Sequence, residues 1–148
     1  DIGTLARTAW VDYGIHNNPR GSGVASGVNY IYVHEIGQNA DGSAMTSYIE
    51  SGDFDLGDGE QFMFINRLIP DIDITTTSSQ TVDYILKTRD YPGDSLVTNS
   101  TNEVGTTTQQ SFLRGRSRQG VLRIQSSVTD VAWTLGDLRL EMRPDGRR

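Results

Sequence analysis

The sequence predicts an all-β fold of antiparallel sheets, either sandwich-like or blade-like as part of a larger propeller-containing protein. Three observations lead there. No segment sustains a helical period, and the apolar residues come in short alternating runs, the signal of half-buried strands. About seven such runs follow one another at near-even spacing along 148 residues. The intervals are rich in Gly, Asp, Asn and Ser, and the chain holds 16 Gly against four Pro.

The elements follow in order. Gly21–Gly27, with glycine at positions 21, 23 and 27, reads as a flexible loop. Val28–Ile36 is β-branched and aromatic, and Ala44–Phe54 follows it across an Asp41-Gly42 pair. Asp-Gly tolerates the positive φ of a tight turn, so 28–36 and 44–54 are expected to form an antiparallel hairpin. Gln61–Ile69 is the most apolar stretch and reads as a central strand, stopped by Pro70, which cannot donate to a ladder. Thr81–Arg89 alternates as another strand, and Tyr91-Pro92-Gly93 turns the chain. The Ser/Thr/Asn-rich residues 94–108 form a long loop or an exposed edge hairpin. Val121–Ser126, Ala132–Leu135 and Leu138–Met142 complete the strands. The expected core is Phe62, Phe64, Ile65, Leu68, Ile85, Leu122, Ile124, Trp133 and Leu140.

A chain of this length is the size of one domain, 1–148, and can bury a sufficient core without a staple. It has no cysteine, which excludes a disulfide framework, thiol catalysis and cysteine-ligated metal. No apolar run approaches the ~20 residues of a membrane span, and Asp1-Ile2-Gly3-Thr4 is no signal peptide. The absent initiator Met is expected of a piece of a longer product. Charge is divided unevenly. Residues 1–110 carry five basic and fifteen acidic side chains, and residues 111–148 carry eight and four. Lys87 is the only lysine, so the cations are almost all arginine forks suited to fixed carboxylate pairing.

Catalytic motifs are sparse. His34-Glu35 opens like a zinc-protease helix, but Gln38 stands where the second histidine belongs. His16 lies in a polar turn, and no Gly-x-Ser-x-Gly elbow exists to present a nucleophile. The glycines at 21–27 precede a strand and offer no helix terminus for a phosphate. Asp53, Asp55, Asp58 and Glu60 crowd one turn, but Gly57 takes the fifth position of a calcium loop and Asp58 the sixth, which is the wrong register. No catalytic residue, cofactor or metal is therefore expected. The sharpest polar signal is Arg114, Arg116 and Arg118. In an extended segment they share one face and need facing anions. Asp53, Asp55 and Asp58, or carboxylates of another subunit, are the expected partners; nothing aromatic interleaves with the arginines locally, which argues against a nucleic-acid grip.

Ala6–Asp12, Tyr48–Glu60, Phe62–Phe64, Leu86–Arg89, Arg114–Arg116 and Trp133–Arg148 stand out as a set. Together they resemble a family of virion proteins, the tail nozzle or tail hub of short-tailed bacteriophages, and the resemblance makes this chain the C-terminal part of a longer one. The resemblance implies a non-enzymatic structural subunit in the phage tail, assembled as a ring-like homo-oligomer around the DNA exit channel and docked to adjacent tail proteins. DNA would then be a partner only in transit, and an acidic wall would not retain it. The alternative function is a module at the tail tip that binds a host-surface receptor or glycan through Tyr13, Tyr30, Tyr32 and Tyr91.

Overall fold

The computed structural model describes residues 7–147. Asp1–Thr4, and the ends of the resemblance at Ala6 and Arg148, lie outside the described residues. The fold is all-β: twelve strands in several antiparallel sheets, with no helix among the described residues, and so none long and apolar enough to cross a membrane. The chain divides into two compact units, Asp1–Gly37 and Gln38–Arg148.

The first unit is a sheet of β1 (Ala9–Val11), β2 (Arg20–Ala25) and β3 (Val28–Val33) in that order. The expected loop at 21–27 is instead strand β2 and a hairpin turn. Ser26 and Gly27 take φ of 50° and 78°, the left-handed pair that a two-residue turn demands, and they join β2 to β3. The hairpin expected between 28–36 and 44–54 does not form. Asp41 and Gly42 do adopt left-handed φ of 51° and 76°, and Ala40 and Ser43 exchange both backbone hydrogen bonds across them. The ladder ends at that bridge. Glu35 at φ 59° and Gly37 at φ 73° break the extended chain beyond Val33, so β3 cannot run on toward Asp41.

The second unit contains β4 (Ser47–Glu50), β5 (Met63–Ile69), β6 (Ile72–Thr76), β7 (Val82–Arg89), β8 (Val97–Val104), β9 (Gly115–Ser117), β10 (Gln119–Ser126), β11 (Val131–Leu135) and β12 (Arg139–Pro144). They form a four-stranded sheet β4-β10-β7-β8, a three-stranded sheet β12-β5-β9 and a β11-β6 pair. As expected, β5 is central to its sheet and ends before Pro70, and 97–104 is an exposed edge strand paired with β7. One hydrophobic cluster is shared by Met63, Ile65 and Leu68 of β5, Val82, Tyr84 and Leu86 of β7, and Leu122 and Ile124 of β10.

The core agrees with expectation at Ile65, Leu68, Leu122 and Ile124 and departs from it at Phe62, Phe64 and Ile85. Phe62, Phe64 and Ile85 are only half-buried, while Met63, Ile65, Tyr84 and Leu86 are wholly inside. Side chains alternate faces along a strand, so Phe62 and Phe64 point away from the core that Met63 and Ile65 enter, and Ile85 away from the one that Tyr84 and Leu86 enter. On β5 the frame also changes midway: Arg67 pairs with Glu141 and Ile65 with Met142, leaving Asn66 without a partner. That bulge returns Leu68 to the core and keeps Arg67 out of it. Trp133 and Leu140 pack against the core from half-buried positions.

Candidate functional site: an arginine-rich sheet face

Residues 111–118 run along β5 as an extended segment. Leu68 and Ser111 exchange backbone hydrogen bonds at 2.8 Å, and Phe64 pairs with Arg116. Ser111, Leu113, Gly115 and Ser117 are buried, whereas Phe112, Arg114 and Arg116 are exposed and Arg118 is half-buried. Gly115 lets β9 approach β7 closely, since a Cβ there would lie 2.8 Å from Leu86 Cδ2. Period-two geometry therefore puts Arg114, Arg116 and Arg118 on the outer side of the sheet. From the opposite edge, Arg139 and Arg143 of β12 are exposed on that same side, because Arg143 pairs with Phe64 and Arg139 with Ile69.

Aromatic rings lie between these arginines. The guanidinium of Arg116 sits 4.1 Å from the Phe62 ring centre and that of Arg118 sits 5.0 Å from it. Arg143 lies 5.0 Å from Phe64, and Arg118 is 5.3 Å from Tyr91. The absence of interleaved aromatics inferred from the local sequence is thus corrected. Phe62 and Phe64 arrive through strand pairing, about fifty residues away in the chain. Their outward parity, which removed them from the core, is what places them here.

The charge pairing has a definite pattern. Arg116 Nε donates to Asp145 Oδ2 at 2.5 Å, and Arg67 Nε donates to Glu141 Oε2 at 2.9 Å. Arg147 lies 3.8 Å from Glu60. Arg118 donates to the Arg147 carbonyl at 3.3 Å, and its buried Nε has no hydrogen-bond partner among the described residues. Arg114, Arg139 and Arg143 make no ion pair among the described residues. A groove of ≈ 110 Å³ opens between Phe64, Asn66, Glu141, Met142 and Arg143.

Of the expected carboxylate partners, Asp53 pairs with Arg89 instead of the 114–118 segment. Asp55 folds back over Gly59, whose Cβ would stand 3.2 Å from Asp55 Oδ2, and Asp58 is exposed. Among the described residues no three His, Asp or Glu side chains converge in a group able to hold a metal ion. The neighbouring Glu50 is held below the usual carboxylate range, chiefly by the Lys87 hydrogen bond at 2.6 Å.

His34 lies in the first unit. Arg7 Nε donates to His34 Nε2 at 3.0 Å, which leaves the ring proton on Nδ1. The imidazole meets Trp10 edge-on at 4.5 Å, and the Arg7 guanidinium covers Tyr32 at 3.8 Å. Glu35 accepts from the Tyr13 hydroxyl, and that bond raises the Tyr13 pKa. These contacts order the surface of a small sheet.

Sequence reasoning overlooked Arg139, Arg143 and Asp145. The signal was present for two of them: Arg139-x-Glu141-x-Arg143 alternates with the half-buried Leu140 and Met142. Asp145 follows from a turn contact, Asp145 N to Phe62 O at 2.7 Å, that no local pattern encodes.

No protein-family model and no curated protein matches this chain.

Proposed function

We propose that this chain is a non-enzymatic structural subunit of a phage virion tail, part of the nozzle or hub around the DNA exit channel. In that role it assembles with copies of itself and with adjacent tail proteins, and its sheets are sandwich-like or blade-like parts of a larger polypeptide. The resemblance of the quoted segments supplies the setting. The observation that carries an assembling role is the β1-β2-β3 sheet. Val11, Val24, Ile31 and Val33 fall on one face of it by register, and they are 60, 62, 73 and 40% exposed. Trp10 and Tyr30 on the other face are also exposed. A three-stranded sheet with apolar residues open on both sides lacks the packed face that independent stability requires, and such patches mark interaction surfaces.

A second reading, a receptor- or glycan-binding module, is favoured by the exposure of Tyr13, Tyr30 and Tyr91. Tyr32 serves it less well because Arg7 covers the ring. The mass of the native assembly, alone and with neighbouring tail proteins, tests the choice. A ring that takes up a tail neighbour is the expected result. A lone monomer that binds cell-surface glycan would replace the architectural reading with the second one.

A further inference from the structure

We infer that the outer face of the β12-β5-β9 sheet docks onto the Asp83–Glu103 corner of the four-stranded sheet in a second copy of the chain. The inference rests on the assembling role proposed above and names the surfaces involved. The first surface carries Arg114, Arg139 and Arg143, exposed and without ion-pair partners among the described residues. The Arg143 guanidinium lies 5.0 Å from the Phe64 ring centre, and a cation–π contact of this kind leaves guanidinium N–H groups available to a carboxylate.

The second surface carries an unresolved repulsion. Asp83 of β7 and Glu103 of β8 are directly opposite each other and share the outer side of their sheet, because the flanking Val82 and Val104 both enter the core. Like charges directly opposed across two strands are destabilising. No cation is paired with either residue among the described ion pairs. Elsewhere on the same face the chain neutralises its carboxylates: Glu50 meets Lys87 and Arg123, and Asp53 meets Arg89. Asp83 and Glu103 stand ready for cations from outside.

The two surfaces lie back to back, since the inner faces of both sheets enter one core. A contact joining the basic face of one copy to the acidic corner of the next is therefore head to tail. Such heterologous contacts close into rings or continue as filaments. Nucleic acid suits the basic face less well. Phe62 and Phe64 are covered by guanidinium groups and not open to bases, and Glu141 and Asp145 would repel phosphate.

Sedimentation of the chain at low and high salt tests this, using wild type, the Arg139→Glu/Arg143→Glu variant, the Asp83→Lys/Glu103→Lys variant and an equimolar mixture of the two variants. Wild type is expected to associate, and less so in salt. Each variant alone should associate at least about tenfold more weakly, and the mixture should recover association because the reversed charges match again. Variants that associate as wild type does would overturn these surfaces and leave the assembling role standing. A wild type that stays monomeric throughout would remove both. If instead wild type binds DNA in a salt-dependent way and only Arg139→Glu/Arg143→Glu loses it, the face is a phosphate site and the docking inference is wrong.

Discussion

Phe54 and Gly120 exchange both backbone hydrogen bonds at 2.9 Å, and the Phe54 ring closes over the glycine α-carbon. A Cβ at position 120 would stand 2.7 Å from Phe54 Cζ and 3.0 Å from Met63 Cε. This contact anchors the carboxylate-rich turn at 53–60 to β10, and it needs glycine for space. Gly120→Ala should cost about 1–3 kcal/mol through overpacking. Adding Phe54→Leu should recover part of that loss in chemical denaturation. An unchanged midpoint for Gly120→Ala would show that the ring moves aside freely.

The parity of β5 gives a paired prediction. Ile65 is wholly buried, so Ile65→Ala should cost about 2–5 kcal/mol. Phe64 is larger but only half-buried on the outer side, so Phe64→Ala should cost less, about 1–2 kcal/mol. Denaturation midpoints that rank the two variants the other way would put the aromatic face inward.

Strand positions were legible where the chain alternates on its own, as in Val82–Arg89, although its buried face is that of Val82, Tyr84 and Leu86 and not of Ile85. Partner choice was not, because it depends on distant geometry. Asp41-Gly42 holds the turn its residues encode, yet Glu35 at positive φ withholds the strand that should use it. The arginine face was half legible for the same reason. Arg114, Arg116 and Arg118 could be aligned from spacing alone, but Phe62, Phe64 and Arg143 join them only through the β12-β5-β9 register.

Glu50 couples stability to acid. Its carboxylate takes a hydrogen bond from Lys87 and lies 3.4 Å from Arg123, and these cations depress its pKa from the ordinary 4.5 against an opposing effect of burial. A depressed folded pKa stabilises above the unfolded value, and that contribution disappears as pH falls through the folded value. The three side chains are 22 to 31% exposed, so the contribution should be below about 1 kcal/mol. Glu50→Gln should lose it at neutral pH and converge with wild type in acid. Parallel stability curves between pH 6 and 3 would show that the pairs contribute nothing.

Asn39 clamps Asp130 across 91 residues of chain. Its Oδ1 accepts from the Asp130 backbone N–H at 2.8 Å, and its Nδ2 donates to Asp130 Oδ1 at 2.7 Å. Asp130 sits at φ 61°, a left-handed conformation that Asp tolerates and Gly adopts without cost. Asn39→Ala leaves a part-buried N–H unpaired and should cost about 1–3 kcal/mol. Asp130→Gly keeps the backbone bond and relieves the strain, so it should be nearly neutral. Thermal unfolding of both variants decides, and an equal loss in each would show that the side-chain bond dominates.

Tyr84 couples stability to alkali. It is wholly buried in the shared core, and its hydroxyl has no hydrogen-bond partner among the described residues. Burial, with the charge of Asp71 behind it, pushes its pKa from 10.0 up to about 12. Below pH 10 both folded and unfolded chains keep the proton, and the associated stability is fully present. Above it the unfolded chain ionises first, so stability falls until the folded value is reached. A gap of this size corresponds to roughly 2–3 kcal/mol. Tyr84→Phe should abolish that alkaline slope, seen as the difference between the two variants' stability curves from pH 9 to 12. At pH 7 the same substitution removes an unpaired buried hydroxyl and should leave stability equal or raise it by about 1 kcal/mol. A clear loss at pH 7 would mean that the hydroxyl is satisfied, with a buried water as the natural partner.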